Sequence, residues 1–454
     1  MPGVSDKRLR EMDGEWRLVR QVLQTSRAPD KDLCVGPDEF ARRRENVASA
    51  VSEAGADVGF VFSDEHYDGD VPYLGGNTNV TIEQVAGAVG PGGFHIAAGL
   101  EGGYVAEQLA PRAGAAVHKV ELLKLADEEY PIQAEKLEDV LEEANAGRPV
   151  KRIALLTPPQ VVPAALVDYL RAAYGPDNII DGQELYQRIR YEKSDREMEL
   201  IADACAVGDA MMRAMLAVLR PGMYETQVAG WGYLVARELG AEEMGWNIMV
   251  GCRDANRTLI GKALNRRIEE GDWVHLGVAP KRDGLNSCVR RSVIATQSPQ
   301  KVTPEQRFWF DLVEGGYAVG LAKYVEVARS GAPAKLQEQA LVDYFAAKSA
   351  EVSKRTGKDV RLETLKPYTG THNAGYTECQ EFFGAITLAS DEPLGRQIVT
   401  MLDVALRGVG DRWDDVVLPG FDFCVVENTL GKFGERVEVL SKLPVNVQSL
   451  VGRG

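Results

Sequence analysis

The sequence predicts an α/β (α+β) chain of two domains, and three observations lead there. Short apolar runs alternate with helical patterns up to about residue 185, the signature of a sheet with helices packed on it. Long amphipathic helices fill the middle of the chain. From Val399 onward strands dominate. At 454 residues the chain exceeds one ordinary domain. The expected division is an N-terminal arm over 1–36, an α/β domain over 37–185 and a larger domain over 186–454.

The arm is polar and charged and reads as an extension or a short helix. Asp38–Ala54 follows as a helix, because Phe40, Val47, Ala50 and Val51 recur at helical spacing. Val58–Ser63, Phe94–Ala98, Ala116–Val120 and Ile153–Leu156 read as strands. Gly87–Gly93 reads as a turn, and nothing in it resembles a phosphate-binding loop. Past Asp181–Arg190, Ser194 and Glu197 form a capping box. Met198, Ile201, Cys205, Met212, Met215 and Leu219 then share one helical face, which Pro221-Gly222 terminates. A second amphipathic helix covers Glu225–Leu239. Strands are expected at Asn247–Gly251, Trp273–Ala279 and Ser287–Ala295. Helices follow at Pro304–Tyr324 and Ala334–Arg355, and strands at Val399–Leu406, Phe421–Glu427 and Arg436–Leu440.

Composition narrows the partners. With 52 basic against 67 acidic residues the net charge is 52 − 67 = −15, which argues against nucleic acid or anionic membrane as the main partner. No apolar run of about 18 residues is present, so no transmembrane helix is expected. The charged N-terminus is not a secretory signal. The 6 cysteines are dispersed, with no CxxC pair, and a reducing cytoplasm is the expected compartment.

Four segments then carry a family resemblance. RYEKSDREMEL…LRPGMYE, from Arg190, resembles the opening of the creatinase, prolidase and Xaa-Pro aminopeptidase domain, the M24 peptidase-like "pita-bread" fold. GDWVHLGVAPKRDGLNSCVRRSV (Gly271–Val293) resembles its metal-bearing strand pair. TGTHNAGYTECQEF (Thr369–Phe382) resembles its G-H-G-I-G-x-x-x-H-E segment. VTMLDVAL (Val399–Leu406) and VVENTLGKFGERVEVLSKLP (Val425–Pro444) resemble its two closing strands. The resemblance implies a creatinase-like N-terminal α/β domain followed by a pita-bread domain, and a homodimer.

In that family two Asp, one His and two Glu hold two divalent metals, which activate water and polarise a carbonyl. Position by position, the two Asp fall on Gly277 and Cys288, the His on His372, and the two Glu on Asp403 and Glu427. Gly277 offers no ligand. His372, Asp403, Glu427 and Cys288 are therefore the expected catalytic and metal-ligating set, holding one Zn²⁺ or Fe²⁺ or no metal. Two further family histidines fall on Ile260 and Cys379, and Cys379 joins the catalytic candidates. His275, on the face vacated at Gly277, together with Tyr376, Arg291 and His66 are the expected substrate contacts, His66 by reaching a partner's pocket. An arginine such as Arg291 salt-bridged to Asp403 and Glu427 is the structural alternative.

Three functions compete. The first is cleavage of a C–N or related bond in a small molecule, by creatinase-like hydrolysis or elimination. The second is an Xaa-Pro aminopeptidase or prolidase-type metallopeptidase with a reduced site. The third is a non-catalytic binding protein of the same fold.

Overall fold

The computed structural model describes residues 3–76, 83–124, 133–258, 260–298, 301–366, 371–377 and 383–452. The chain opens on helix α1 (Asp6–Thr25), capped by Ser5. This segment, expected as an arm or a short helix, is a docked helix. Trp16 stacks on Trp231, with ring centroids 6.3 Å apart. The buried Glu15 accepts from Trp231 Nε1 (2.7 Å) and from Arg8 and Arg220. An apolar stripe with Val19 at its centre thus serves the second domain.

The first domain contains α2 (Pro37–Glu53), β1 (Val58–Ser63), α3 (Asp70–Gly75), β2 (Val85–Gly90), β3 (Gly93–Ala98), α4 (Leu100–Leu109), β4 (Ala116–Lys119), α5 (Leu137–Ala144), β5 (Ile153–Leu155), α6 (Ala164–Tyr174), β6 (Ile179–Asp181) and α7 (Gln183–Tyr191). Its strands form one six-stranded sheet in the order β4-β3-β2-β1-β5-β6. The segment expected as a turn at Gly87–Gly93 is mostly strand β2, paired with β3 from Val85↔Ala98 to Gly90↔Gly93. Gly87 is there for space rather than flexibility. A Cβ at Gly87 would lie 2.4 Å from the Phe94 ring.

The second domain begins with α8 (Asp195–Val218), whose expected capping box is present: Ser194 and Glu197 exchange bonds of 2.7 and 3.1 Å. Then come α9 (Glu225–Glu238), β7 (Glu243–Met244), β8 (Met249–Cys252), β9 (Trp273–Val278), β10 (Pro280–Arg282), β11 (Leu285–Asn286), β12 (Val289–Ile294), α10 (Pro304–Ser330), α11 (Lys335–Thr356), β13 (Thr371–Asn373), β14 (Gln397–Arg407), β15 (Phe423–Phe433) and β16 (Arg436–Val439). The seven-stranded sheet runs β13-β14-β15-β12-β9-β8, with β16 on β15. Every pairing in it is antiparallel.

Alternation along these strands decides what each face does. Val274, Leu276, Val278 and Val293 pack into the core that contains α8 and α9. Leu402, Val404, Leu406 and Val426 pack into the core that contains α10 and α11. The register pairs Leu276 with Arg291, Arg291 with Val426, and Val426 with Val404, so both helix pairs cover the same face. Asp403 and Glu427, one residue out of phase, point to the other. Two cations join the domains: the buried Arg43 lies 3.0 Å from Glu197 and the half-buried Arg112 lies 2.7 Å from Asp283, while within the first domain Arg190 pairs with Asp70. Among the described residues no helix is long and apolar enough to cross a membrane.

Candidate active site

The candidate site is one row of side chains across the second sheet. Met249 pairs with Gly277, Gly277 with Arg290, Arg290 with Glu427, and Glu427 with Asp403. Directly opposed residues of antiparallel strands share a face, so the row is continuous. His372 pairs with Met401, two residues from Asp403, and so adds its ring from the edge strand on the same face. One ligand atom each from His372, Asp403 and Glu427 falls within 4.8 Å of the others.

The chemistry of the row turns on Arg290. Its Nη1 donates to Asp403 Oδ2 at 2.7 Å and lies 3.6 Å from Glu427 Oε2. Its Nε donates to His275 Nε2 at 3.1 Å, which makes His275 the neutral tautomer protonated on Nδ1. Burial, and then the adjacent guanidinium, hold the His275 pKa well below its ordinary value. Phe423 meets the His275 ring edge-on at 5.2 Å and lies 5.7 Å from the Arg290 guanidinium carbon.

Gly277 and Arg290 fit together. A Cβ at Gly277 would stand 2.9 Å from Arg290 Cγ and 3.1 Å from the Trp246 ring. The position where the resemblance leads one to expect a carboxylate is the one the arginine stem runs past. Two buried carboxylates facing each other across β14 and β15 require compensating charge, and here a guanidinium of the chain itself supplies it. Sequence reasoning had looked to Arg291 for this pairing. The available signal was strand phase, because Arg290 is even with Gly277 and Arg291 is not.

The expected residues distribute as follows. His372, partly exposed, brings Nε2 to 3.6 Å from Glu427 Oε1, while its Nδ1 is 3.2 Å from the Asn373 carbonyl. Glu427 is 1% exposed, and among the described residues neither of its carboxylate oxygens has a hydrogen bond. Cys288 lies outside the metal-competent group. The pairing register puts it beside Thr429, which exchanges bonds of 3.0 and 2.9 Å with its backbone. Thr429 pairs with Met401 and Met401 with His372, so Cys288 and His372 are three strand spacings apart, about 14 Å.

Arg291 is on the helix-covered face. It donates to the carbonyls of Glu427, Pro444 and Leu443 and to Asn428 Oδ1, at 2.6 to 3.0 Å. Burial lowers its pKa to about 10. Its role is to tie β12 to β15 and the C-terminal segment rather than to meet substrate. Tyr376 is buried at the domain junction, where its hydroxyl accepts from Arg43 Nη1 at 2.8 Å. His66 is exposed on a loop of the first domain, its backbone N–H bonded to Asp64 at 2.8 Å. Ile260 is 72% exposed. Cys379 lies outside the described residues.

These residues do not fit a two-metal centre. Gly277 has no donor, and the arginine's charge lies against Asp403. The donor set that remains, one imidazole and two carboxylates, fits a single divalent ion, and the oxygens of buried Glu427, in ion-pair contact at 3.6 Å but without a hydrogen bond among the described residues, are the observation that favours one.

The comparisons with known proteins agree on the frame. Residues 199–381 match metallopeptidase family M24. The Xaa-Pro dipeptidase of Pyrococcus horikoshii is 24% identical over 258 residues, 56% of this chain and 70% of its own length. The fold resembles the crystal structure of the prolidase from P. horikoshii OT3, with a TM-score of 0.66 and 16% identity over 89% of this chain and 99% of the other. It also resembles the X-Pro aminopeptidase from Thermotoga maritima MSB8, with a TM-score of 0.68 and 17% identity over 89% and 98%. Residues 199–381 thus match the M24 metallopeptidase family, and the fold over most of the chain is the pita-bread fold of prolidases and Xaa-Pro aminopeptidases.

Proposed function

We propose that this chain hydrolyses an amide-type C–N bond in a small, peptide-like substrate, at a centre that holds one divalent ion and uses Arg290 where its relatives hold further metal. The observation that carries the reading is the convergence of His372, Asp403 and Glu427 on one face. The similarity to Xaa-Pro dipeptidases supports hydrolysis over elimination and favours a dipeptide-like substrate.

An ion held by His372, Asp403 and Glu427 would polarise the scissile carbonyl and acidify a water. Arg290 supplies a fixed positive charge beside the carboxylates, suited to the negative charge that grows on a tetrahedral oxygen. His372 would be held as a ligand by its Nε2, with Nδ1–H facing the Asn373 carbonyl at 3.2 Å, and is free to carry a proton only where no ion is bound. Imidazole with carboxylate oxygens suits Zn²⁺ or Fe²⁺ better than Ca²⁺.

One observation favours a second reading. The guanidinium already neutralises Asp403, so creatinase-like C–N cleavage without metal, with His372 moving the proton, remains chemically coherent. A single experiment separates the two. Turnover of a panel of Xaa-Pro dipeptides and small amides is followed before and after chelation, with metal content measured on the same samples. The hydrolase reading with one ion expects activity that chelation abolishes and Zn²⁺ or Fe²⁺ restores. Activity that survives complete metal removal transfers the case to the metal-free reading. Turnover that is unchanged in both His372→Ala and Glu427→Gln sinks both.

A further inference from the structure

The chain has 5 histidines, and two of them meet outside the site above. His95 lies on β3 and His118 on the edge strand β4. Their parallel register sets His95 opposite Ala116 and Ala97 opposite His118, so both rings share a face and stack with centroids 5.2 Å apart. Glu143 reaches the same point from the last turn of α5. His95 Nδ1 and His118 Nε2 are 3.0 Å apart. Glu143 Oε2 is 3.7 Å from the first and 3.8 Å from the second.

The outer nitrogens identify the protonation state. His95 Nε2 faces the Gly92 carbonyl at 3.4 Å, and His118 Nδ1 faces Glu135 Oε2 at 2.7 Å. A carbonyl and a carboxylate only accept, so both outer nitrogens carry hydrogen. A neutral imidazole has one N–H. The two inner nitrogens therefore present lone pairs to each other and to a carboxylate oxygen. With both rings neutral, three acceptors converge on one point, and either a proton on an inner nitrogen or a metal ion relieves the repulsion. The rings are 9% and 6% exposed.

We propose that His95, His118 and Glu143 form a second divalent-metal site, of Zn²⁺ type, in the N-terminal domain. Two imidazoles and a carboxylate are borderline ligands that suit Zn²⁺ rather than Mg²⁺ or Ca²⁺. Three protein donors leave a fourth position for water. Glu135 and the Gly92 carbonyl fix the ring orientations, as outer partners of metal-bound histidines do. Glu143 is half-exposed, which gives the ion a route in from solvent. The ion would cross-link β3, the edge strand β4 and α5.

The test uses the full chain carrying His372→Ala, which removes the other metal centre and makes this site independent of the proposed function. After chelation the protein is titrated with Zn²⁺, followed by calorimetry, metal analysis and thermal unfolding. The expected result is one Zn²⁺ per chain, with a midpoint that rises with Zn²⁺ concentration. Adding His118→Gln is expected to abolish both. Glu135→Gln, on an exposed side chain, is expected to bind Zn²⁺ about 10- to 100-fold more weakly with the fold intact. Absence of Zn²⁺ binding in the His372→Ala protein, or binding that Glu135→Gln and the combined His95→Gln and His118→Gln changes leave unaltered, overturns the proposal.

Discussion

Among the described residues two clusters of histidine and carboxylate are found, and their charge is balanced in different ways. At His372, Asp403 and Glu427 the chain supplies its own cation, Arg290, from a neighbouring strand. At His95, His118 and Glu143 no arginine or lysine forms an ion pair among the described residues, and the outer ring nitrogens are already committed. Both clusters bring ligand atoms within 4.8 Å of one another. Proximity of ligand atoms therefore does not define a metal centre. What distinguishes the two is whether the charge is balanced from within or demands a cation from outside.

The largest expected effect breaks the internal balance. Arg290→Ala leaves Asp403 and Glu427 buried without their cation, which should cost about 3–5 kcal/mol of stability, measured by urea unfolding. It should also raise affinity for a divalent ion at that centre, so part of the loss should return when Zn²⁺ is added. Loss of stability without metal rescue would make Arg290 purely structural.

A smaller effect tests the pairing of Gly277 with Arg290. Gly277→Ala forces a Cβ to 2.9 Å from the arginine stem, an overpacking expected to cost about 1–3 kcal/mol. In an Arg290→Ala background the same change should cost less, because the close neighbour is gone. Strict additivity in that double-mutant cycle would show that the two positions are independent.

The pH dependence follows from His275. Its folded pKa is depressed by burial and Arg290, so between that value and about 6.5 the unfolded chain binds more protons. Stability contributed by His275 is therefore full above about pH 6.5 and is lost as pH falls toward the folded pKa. The slope approaches at most about 1.4 kcal/mol per pH unit. His275→Gln keeps an acceptor near Arg290 Nε but does not titrate, and should flatten the stability–pH curve in this window. An unchanged slope would mean that the imidazole is protonated in the folded protein.

The smallest effect marks where the site ends. Tyr376→Phe removes the hydrogen bond from Arg43 at the domain junction, worth about 1 kcal/mol. KM for any substrate found should stay the same, since the ring packs against Tyr73 at 5.8 Å and lies outside the row. A changed KM with unchanged stability would return Tyr376 to the substrate pocket.

Much of the fold was legible because it rests on local pattern. The α8 capping box, the strand Val58–Ser63 and the apolar phases of β9 and β14 are encoded within a few residues each. The error at Gly87–Gly93 has a physical source. Glycine usually marks a turn, but here it makes room for Phe94, a neighbour known only once β2 and β3 are paired. For the segment of α1 the sequence leaves arm and short helix open, because its buried stripe has no partner until α8 and α9 are in place.

By itself the sequence carried the superfamily resemblance, the expectation that Gly277 stands where a ligand is usual, and the match of His372, Asp403 and Glu427 to the motifs. Tertiary structure alone decided what replaced the lost charge. Linear spacing pointed to Cys288 and to Arg291. Strand pairing put Cys288 three strands from His372 and turned Arg291 toward the helices, because one residue of phase reverses the face a side chain occupies. The same holds for His95 and His118, which are 23 positions apart. Only the parallel pairing of β3 with β4 turns two separate histidines into one site.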